Sequence, residues 1–248
     1  DGDIVIVGTM QGAIDFGKGP LVGNTMAEVH LDATGKTKAA QVYGALNGNC
    51  LRVRHKPDGN VIVAGAYREG TATFGTGGKP QPPPVSASMF VAELTPAGAN
   101  VRTTRFTSGG GGAGDICALA VGPNGGIAVA GKLDMATDLG SGTPGGQGAF
   151  VASFDDKQAW LWDRAPFNSL SPSFGDFLFP NALAITSSGT TLVGGGFNGK
   201  VDLGGGPLPI TYGAFRIWGV TAGILNNLRE RLYPEDPPVS GDSGDRPR

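Results

Sequence analysis

A fourfold internal repeat constrains the fold of this chain more than any other feature of its sequence. Four segments superimpose on one another, each an apolar run that ends on glycine: residues 1–8, 58–65, 124–131 and 188–195. The closing glycines are 57, 66 and 64 residues apart: Gly8, Gly65, Gly131 and Gly195. Self-similarity at a nearly fixed period indicates a repeat architecture, in which one supersecondary unit recurs along the chain.

Each repeat predicts a set of short antiparallel strands. After the closing glycine comes a turn, seen as Asp-Phe-Gly or Asp-Leu-Gly at 15–17, 138–140 and 202–204, then a loop and a second apolar run. Short runs rich in Val, Ile and Phe between Gly, Asn, Asp and Pro are strand signals. Asp58-Gly59 and Asn124-Gly125 lie between such runs and predict tight hairpins, whose central positions require positive φ.

These signals predict an all-β chain, a β-propeller of about four repeats of roughly 60 residues, each a four-stranded sheet. The approximate units are 1–49, 50–115, 116–179 and 180–222. The first unit lacks its leading strand and the fourth lacks its last one, so about 14 strands are expected. A partial propeller is therefore an alternative to a complete one. Apolar residues at helical spacing predict a short amphipathic helix and then a polar, disordered tail over 223–248: Ile224, Leu225, Leu228 and Leu232.

Composition supports a folded protein that works outside the cytoplasm. The 44 glycines and 18 prolines form a quarter of the 248 residues, yet 40% of residues are hydrophobic and grouped into regular runs. A net charge of −2 without a basic stripe argues against a nucleic-acid partner. No apolar stretch reaches the roughly 20 residues of a membrane helix. The low charge favours a secreted, periplasmic or cell-surface protein, whose leader is expected to have been removed or to lie outside this sequence.

At three motifs the sequence resembles the SBBP-type β-propeller repeats of bacterial surface and secreted proteins, abundant in myxobacteria. Those repeats combine an "Asp-Gly-Asn, four apolar, Gly" strand, a "Val-Asp-Phe-Gly" turn and a "Phe-Val-Ala-Lys-Leu" strand. The counterparts here are residues 58–65, 201–204 and 90–94, and the resemblance covers roughly residues 1–222. It implies a secreted or cell-surface location and an interaction role, and it supplies no catalytic residues.

Several polar residues are candidates for chemistry, each beside a structural explanation. Asp15, Asp138 and Asp202 are predicted to cap turns through their own backbone, and the alternative is one calcium site per repeat. No other cofactor is expected. Glu28 and His30 alternate with Asp32, which predicts a solvated strand face or else a metal or acid–base cluster.

The two cysteines occupy neighbouring strand positions in different repeats. Cys50 and Cys117 are predicted to face in opposite directions and to be buried as small hydrophobic residues, with a disulfide as the alternative. The aromatic candidates for ligand binding are Trp160, Trp162, Trp218 and Tyr67. Exposed tryptophans stack on sugar rings, whereas packing between sheets is the alternative that we expect for them.

The predicted function is that of a non-catalytic interaction or scaffold module, which binds protein or polysaccharide through propeller loops. One alternative is a polysaccharide-active enzyme, a lyase or glycosidase, which would bring five side chains into one cleft: Glu28, His30, Tyr67, Arg68 and Glu69. Another alternative is a structural subunit of a homo-oligomer or larger assembly, in which another chain completes the propeller.

Overall fold

The computed structural model of this chain describes residues 2–44, 49–84, 87–108, 113–167, 177–198, 201–202, 207–208 and 215–220. All regular structure in these ranges is β, and its sheets are antiparallel, which confirms the predicted all-β class. No helix in the same ranges is long and apolar enough to span a membrane. The predicted helix and polar tail over 223–248 lie outside the described residues.

Among the described residues, four sheets of three or four strands follow one another along the chain. Sheet I contains β1 (Ile4–Asp15), β2 (Pro20–Leu31) and β3 (Thr37–Val42). Sheet II contains β4 (Asn49–His55), β5 (Val61–Tyr67), β6 (Ser88–Leu94) and β7 (Asn100–Phe106). Sheet III contains β8 (Gly114–Val121), β9 (Ile127–Leu133), β10 (Gly148–Phe154) and β11 (Trp160–Phe167). Sheet IV contains β12 (Phe177–Ile185), β13 (Thr191–Asn198) and β16 (Phe215–Val220), and the two-residue strands β14 (Val201–Asp202) and β15 (Pro207–Leu208) form a small ribbon between β13 and β16.

Each sheet is a meander, because its strands pair in chain order. Sheets I and IV have three strands, and sheets II and III have four, which is the distribution that the self-alignment of the sequence predicts. The missing strands are the first of sheet I and the last of sheet IV, within the described residues. Three of the four closing glycines lie on the second strand of their sheet, Gly65 on β5, Gly131 on β9 and Gly195 on β13, whereas Gly8 lies on β1, the first described strand of sheet I.

The same hairpin turn recurs six times within the described ranges. In each, the first residue's N–H donates to the fifth residue's carbonyl, and the fourth N–H donates to the first carbonyl. The fourth residue has positive φ every time: Gly35, Gly59, Gly98, Gly125, Gln158 and Gly189. Hairpins therefore form at Asp58-Gly59 and Asn124-Gly125, but Asp58 and Asn124 are not at positive φ. The turns have the three-residue loop with a bulge rather than the expected two-residue loop.

The sheets pack face to face, and sheet II is covered on both sides. Alternate residues of β5 point to opposite faces, so Val61 and Val63 enter a core shared with sheet I, while Ile62 and Ala64 enter one shared with sheet III. Sheet III packs in turn against sheet IV through β8, β9 and β10. The leading strands of sheets II, III and IV also lie against one another, β4 on β8 and β8 on β12, and β1, the first described strand of sheet I, lies against β4.

Candidate functional site

Glu28 and His30 lie in the interior between sheets I and II, so the predicted solvated strand face is wrong for both. Glu28 is 0% exposed and His30 is 4% exposed. Both lie on the face of β2 that packs on sheet II. The prediction failed because alternation along one strand does not reveal which of its faces a second sheet covers. Asp32, at the end of the same alternation, accepts backbone and side-chain hydrogen bonds in the β2–β3 turn.

The Glu28 carboxylate is the centre of a buried hydrogen-bond network. Its Oε1 contacts His30 Nε2, and its Oε2 accepts from the Tyr43 hydroxyl (2.6 Å) and from Gln41 Nε2 (3.0 Å). Gln41 Nε2 also donates to the Gly98 carbonyl of sheet II, at 2.8 Å. The network therefore joins the two sheets, and its oxygens are occupied by side chains of the chain itself.

Tyr43 keeps its proton in this setting. Burial raises the pKa of the Tyr43 hydroxyl well above its ordinary value of 10.0, and the neighbouring Glu28 carboxylate raises it further. Its ring packs edge-on against Phe74 of sheet II, with ring centres 5.2 Å apart. Tyr43 is thus a neutral hydrogen-bond donor that holds Glu28 in place.

A second buried carboxylate, Glu93, is the centre of a similar polar network between sheets II and III. Glu93 Oε1 accepts from Lys56 Nζ and Asn60 Nδ2, both at 2.8 Å, and Lys56 Nζ reaches the Asp156 carbonyl of sheet III at 3.2 Å. Arg102 Nε lies 3.1 Å from Glu93 Oε2 as an ion pair without hydrogen-bond alignment. Burial lowers the pKa of Lys56, but hydrogen bonds to Glu93 and Asp58 outweigh it, so the pKa is raised overall. This network was not predicted from the sequence, although Glu93 lies on β6 and Lys56 directly follows β4.

Two of the three aspartates that were alternative candidates for calcium binding, Asp15 and Asp138, cap turns in the structure. Asp15 Oδ1 accepts from the N–H groups of Gly17 (2.7 Å) and Gly19 (3.1 Å). Asp138 Oδ1 accepts from the residues two and four positions further on, at 2.8 and 3.1 Å. The side chain of Asp202 lies outside the described residues. No group of three or more His, Cys, Asp or Glu side chains suited to a metal occurs in the described part of the chain.

Among the aromatic candidates whose side chains the structure describes, Trp160 lies at the surface. Its side chain is 39% exposed and its Nε1 donates to Asp163 Oδ1 at 2.8 Å. Trp162 is half-buried, and the side chain of Trp218 lies outside the described residues. Tyr67 is fully buried with its hydroxyl on the Pro82 carbonyl, so its proposal as a ligand contact is wrong. The Phe74 and Phe90 rings that pack on Tyr67 come from the interior of sheet II.

The cysteines are bonded to each other, which corrects the prediction of two separate buried thiols. Cys50 on β4 and Cys117 on β8 form a disulfide with their Cα atoms 4.8 Å apart, within the usual range. Each lies at a β-bulge, because the pairing register shifts after Asn49 and after Ile116. A bulge inserts an extra residue and breaks strict alternation, so facing directions inferred from regular strands do not apply.

The five side chains that a polysaccharide-active enzyme would need are not gathered around a cleft. Glu28 and His30 are enclosed, and Tyr67 belongs to the aromatic core. Arg68 Nη2 lies 3.1 Å from Asp115 Oδ2 at the start of β8, which ties the β5–β6 loop to sheet III. Glu69 has an interaction of its own in the structure. The pair between Arg68 and Asp115 was not foreseen, since nothing in the local sequence connects residues 47 positions apart.

Comparison with known proteins leaves the family open. No protein-family model and no curated protein matches the chain, so the resemblance to SBBP-type repeats stays a prediction. A crystallised protein of unknown function from Bacteroides caccae is similar at 15% identity and a TM-score of 0.36. That similarity covers 82% of this chain and 57% of the other, so the chain matches little more than half the length of that protein.

Proposed function

We propose that the chain is a β-propeller-type interaction module that works outside the cytoplasm and binds protein or polysaccharide through its loops. The observation that carries this proposal is the Cys50–Cys117 disulfide between the leading strands of sheets II and III. Disulfides persist in oxidising compartments and are rare in reducing ones. The low charge and the SBBP-type motifs support the same location and role.

The propeller arrangement is supported by the order of contacts between sheets. The leading strands β4, β8 and β12 touch in sequence, as strands around a common axis do, and β1 lies against β4. Sheet II packs one face on sheet I and the other on sheet III. A radial arrangement places the fourth strand of each sheet outermost. This leaves the outer strands and the loops between second and third strands as the surfaces available to a partner.

Binding, rather than catalysis, is favoured because the buried carboxylates serve the joints between sheets. Glu28 and Glu93 accept hydrogen bonds from side chains of the chain itself and are closed to solvent. A glycosidase needs two carboxyl groups that reach the sugar from opposite sides. On the outer surface, Trp160 with its neighbour Leu161 offers an exposed apolar contact for a sugar ring or an apolar side chain.

The test measures binding of the purified chain to a panel of immobilised bacterial polysaccharides and surface-protein extracts. We expect at least one polysaccharide to bind and the Trp160→Ala variant to lose affinity about tenfold, the loss of one stacked ring. Val22→Ala is the control, because Val22 is 67% exposed on sheet I and its truncation should leave binding unchanged. Release of reducing ends or unsaturated sugars from any polysaccharide would contradict a non-catalytic role.

A further inference from the structure

The outer edge of β1 is a long strand edge without a partner among the described residues. β1 pairs with β2 along its whole length, and no described residue pairs with its other side. Natural sheet edges are guarded by charges, prolines or bulges, and the other edges here carry them, with Lys38 on β3, Arg102 on β7 and Arg164 on β11. β1 has no charged residue before Asp15 and no proline, so it lacks the devices that keep a free edge from pairing.

Gly8 shows that this edge is shaped for a strand. In sheets III and IV, the equivalent glycine lies against a bulge of the leading strand: an ideal Cβ on Gly131 would be 1.9 Å from the Asp115 carbonyl oxygen, and one on Gly195 would be 2.2 Å from that of Phe179. At Gly8 the same Cβ would meet nothing within 4 Å. No described atom requires a glycine at position 8. A bulged strand paired with this edge would require one, because its backbone would lie where a Cβ would be.

We propose that the edge of β1 binds residues 226–232 of the same chain as an added antiparallel strand that supplies the missing leading strand of sheet I. The reason for this occupant is its sequence. Residues 226–235 read Asn-Asn-Leu-Arg-Glu-Arg-Leu-Tyr-Pro-Glu, and residues 49–58, which form β4 and enter its turn, read Asn-Cys-Leu-Arg-Val-Arg-His-Lys-Pro-Asp. Both have Asn, Leu, Arg, Arg and Pro at the same places.

The register follows from sheet II. There Asn49 pairs with Ala66 and Val53 with Val63, with the bulge opposite Gly65. Transferring this pairing from β5 to β1 places Asn226 opposite Thr9, Glu230 opposite Ile6 and Leu232 opposite Ile4, with the bulge opposite Gly8.

The side-chain alternation agrees with this register. Ile4 and Ile6 are 50% and 47% exposed, and Leu232 next to Ile4 would cover apolar surface on that face. Arg229 and Arg231 would take the positions of Arg52 and Arg54 on the other face of the strand. This pairing replaces the helix expected from the spacing of the leucines in the same segment.

The first test is a disulfide cross-link in the full chain. The pair Ile6→Cys with Glu230→Cys is directly opposite in the proposed register, so mild oxidation should give an intramolecular cross-link in most molecules. The matched control is Ile6→Cys with Arg229→Cys, whose second side chain faces away and should cross-link at least fivefold less. Equal yields, or cross-linked dimers in place of monomers, would overturn the proposal, the dimers because a second copy would then occupy the edge.

Gly8→Ala provides the second test. On a free edge the added methyl group meets no atom, so the variant should fold normally. With the bulged strand in place, the methyl group overlaps its backbone, and the yield of the 6–230 cross-link should fall several-fold. An unchanged yield would overturn the proposed register, whatever the outcome of the ligand-binding panel.

Discussion

At the scale of single residues, backbone contacts decide which positions of the repeat accept a side chain. The glycine that closes the apolar run on β9 has the neighbouring strand's carbonyl oxygen where its Cβ would be. The glycine two residues before β9 in the same repeat, Gly125, instead supplies the positive φ of the hairpin turn. The repeat pattern therefore contains two kinds of glycine, one required by close approach and one by backbone conformation.

We predict that Gly131→Ala destabilises the fold by about 3 kcal/mol or more, because its methyl group overlaps the Asp115 carbonyl and the backbone must move. Gly126→Ala is the control at the start of the same strand, where the nearest atom is 3.5 Å from the added Cβ and the contact is ordinary. The free energy of unfolding from urea titrations should fall much more for the first variant. Equal losses for the two variants would contradict the close-approach explanation.

Tyr43 gives a prediction about alkaline stability. Because burial raises the pKa of its hydroxyl in the folded state, its contribution is present below pH 10 and is lost as the pH rises through the folded-state value. Tyr43→Phe should cost about 1 to 3 kcal/mol at pH 7, since Glu28 loses a donor. Between pH 10 and 11 the variant should lose about 1 kcal/mol less than the wild type. Parallel pH profiles of unfolding free energy would contradict this.

At the scale of elements, the disulfide fastens the leading strands of two neighbouring sheets. It closes a loop across a separation of 67 residues, for which the chain-entropy account gives about 4 kcal/mol. We predict that Cys50→Ala with Cys117→Ala lowers the free energy of unfolding by roughly that amount. Dithiothreitol should destabilise the wild type and leave the double variant unaffected. A loss under about 1 kcal/mol would show that the packing of β4 on β8 suffices alone.

The strands were predictable from the sequence because their signals are local. Apolar alternation, Asp58-Gly59 and Asn124-Gly125 placed β5, β9 and their hairpins correctly. The partners of Glu28, the Cys50–Cys117 bond and the burial of Tyr67 were not predictable, because they depend on which faces the sheets turn to one another and on where the bulges fall. The structure therefore corrected the predicted site residues more than the predicted strands.

At the scale of the whole molecule, one physical scheme repeats from sheet to sheet. A buried carboxylate lies at two of the three described joints, Glu28 between sheets I and II and Glu93 between sheets II and III. Sheet II contributes one face to each apolar core. The proposed propeller follows if the rotation between sheets I and II is repeated between sheets II and III, since repeated rotation about one axis bends the array into a ring.

Distances between equivalent turns test that arrangement most directly. Spin labels are placed on the exposed β2–β3, β6–β7 and β10–β11 turns, at Thr34, Ala97 and Lys157, so that each label marks one of sheets I, II and III. Pulsed electron paramagnetic resonance then measures the distance between the two labels of each pair. A propeller predicts that the distance from Thr34 to Lys157 is clearly shorter than the two neighbouring distances added together. A distance equal to that sum would mean a straight stack of sheets and would contradict the propeller.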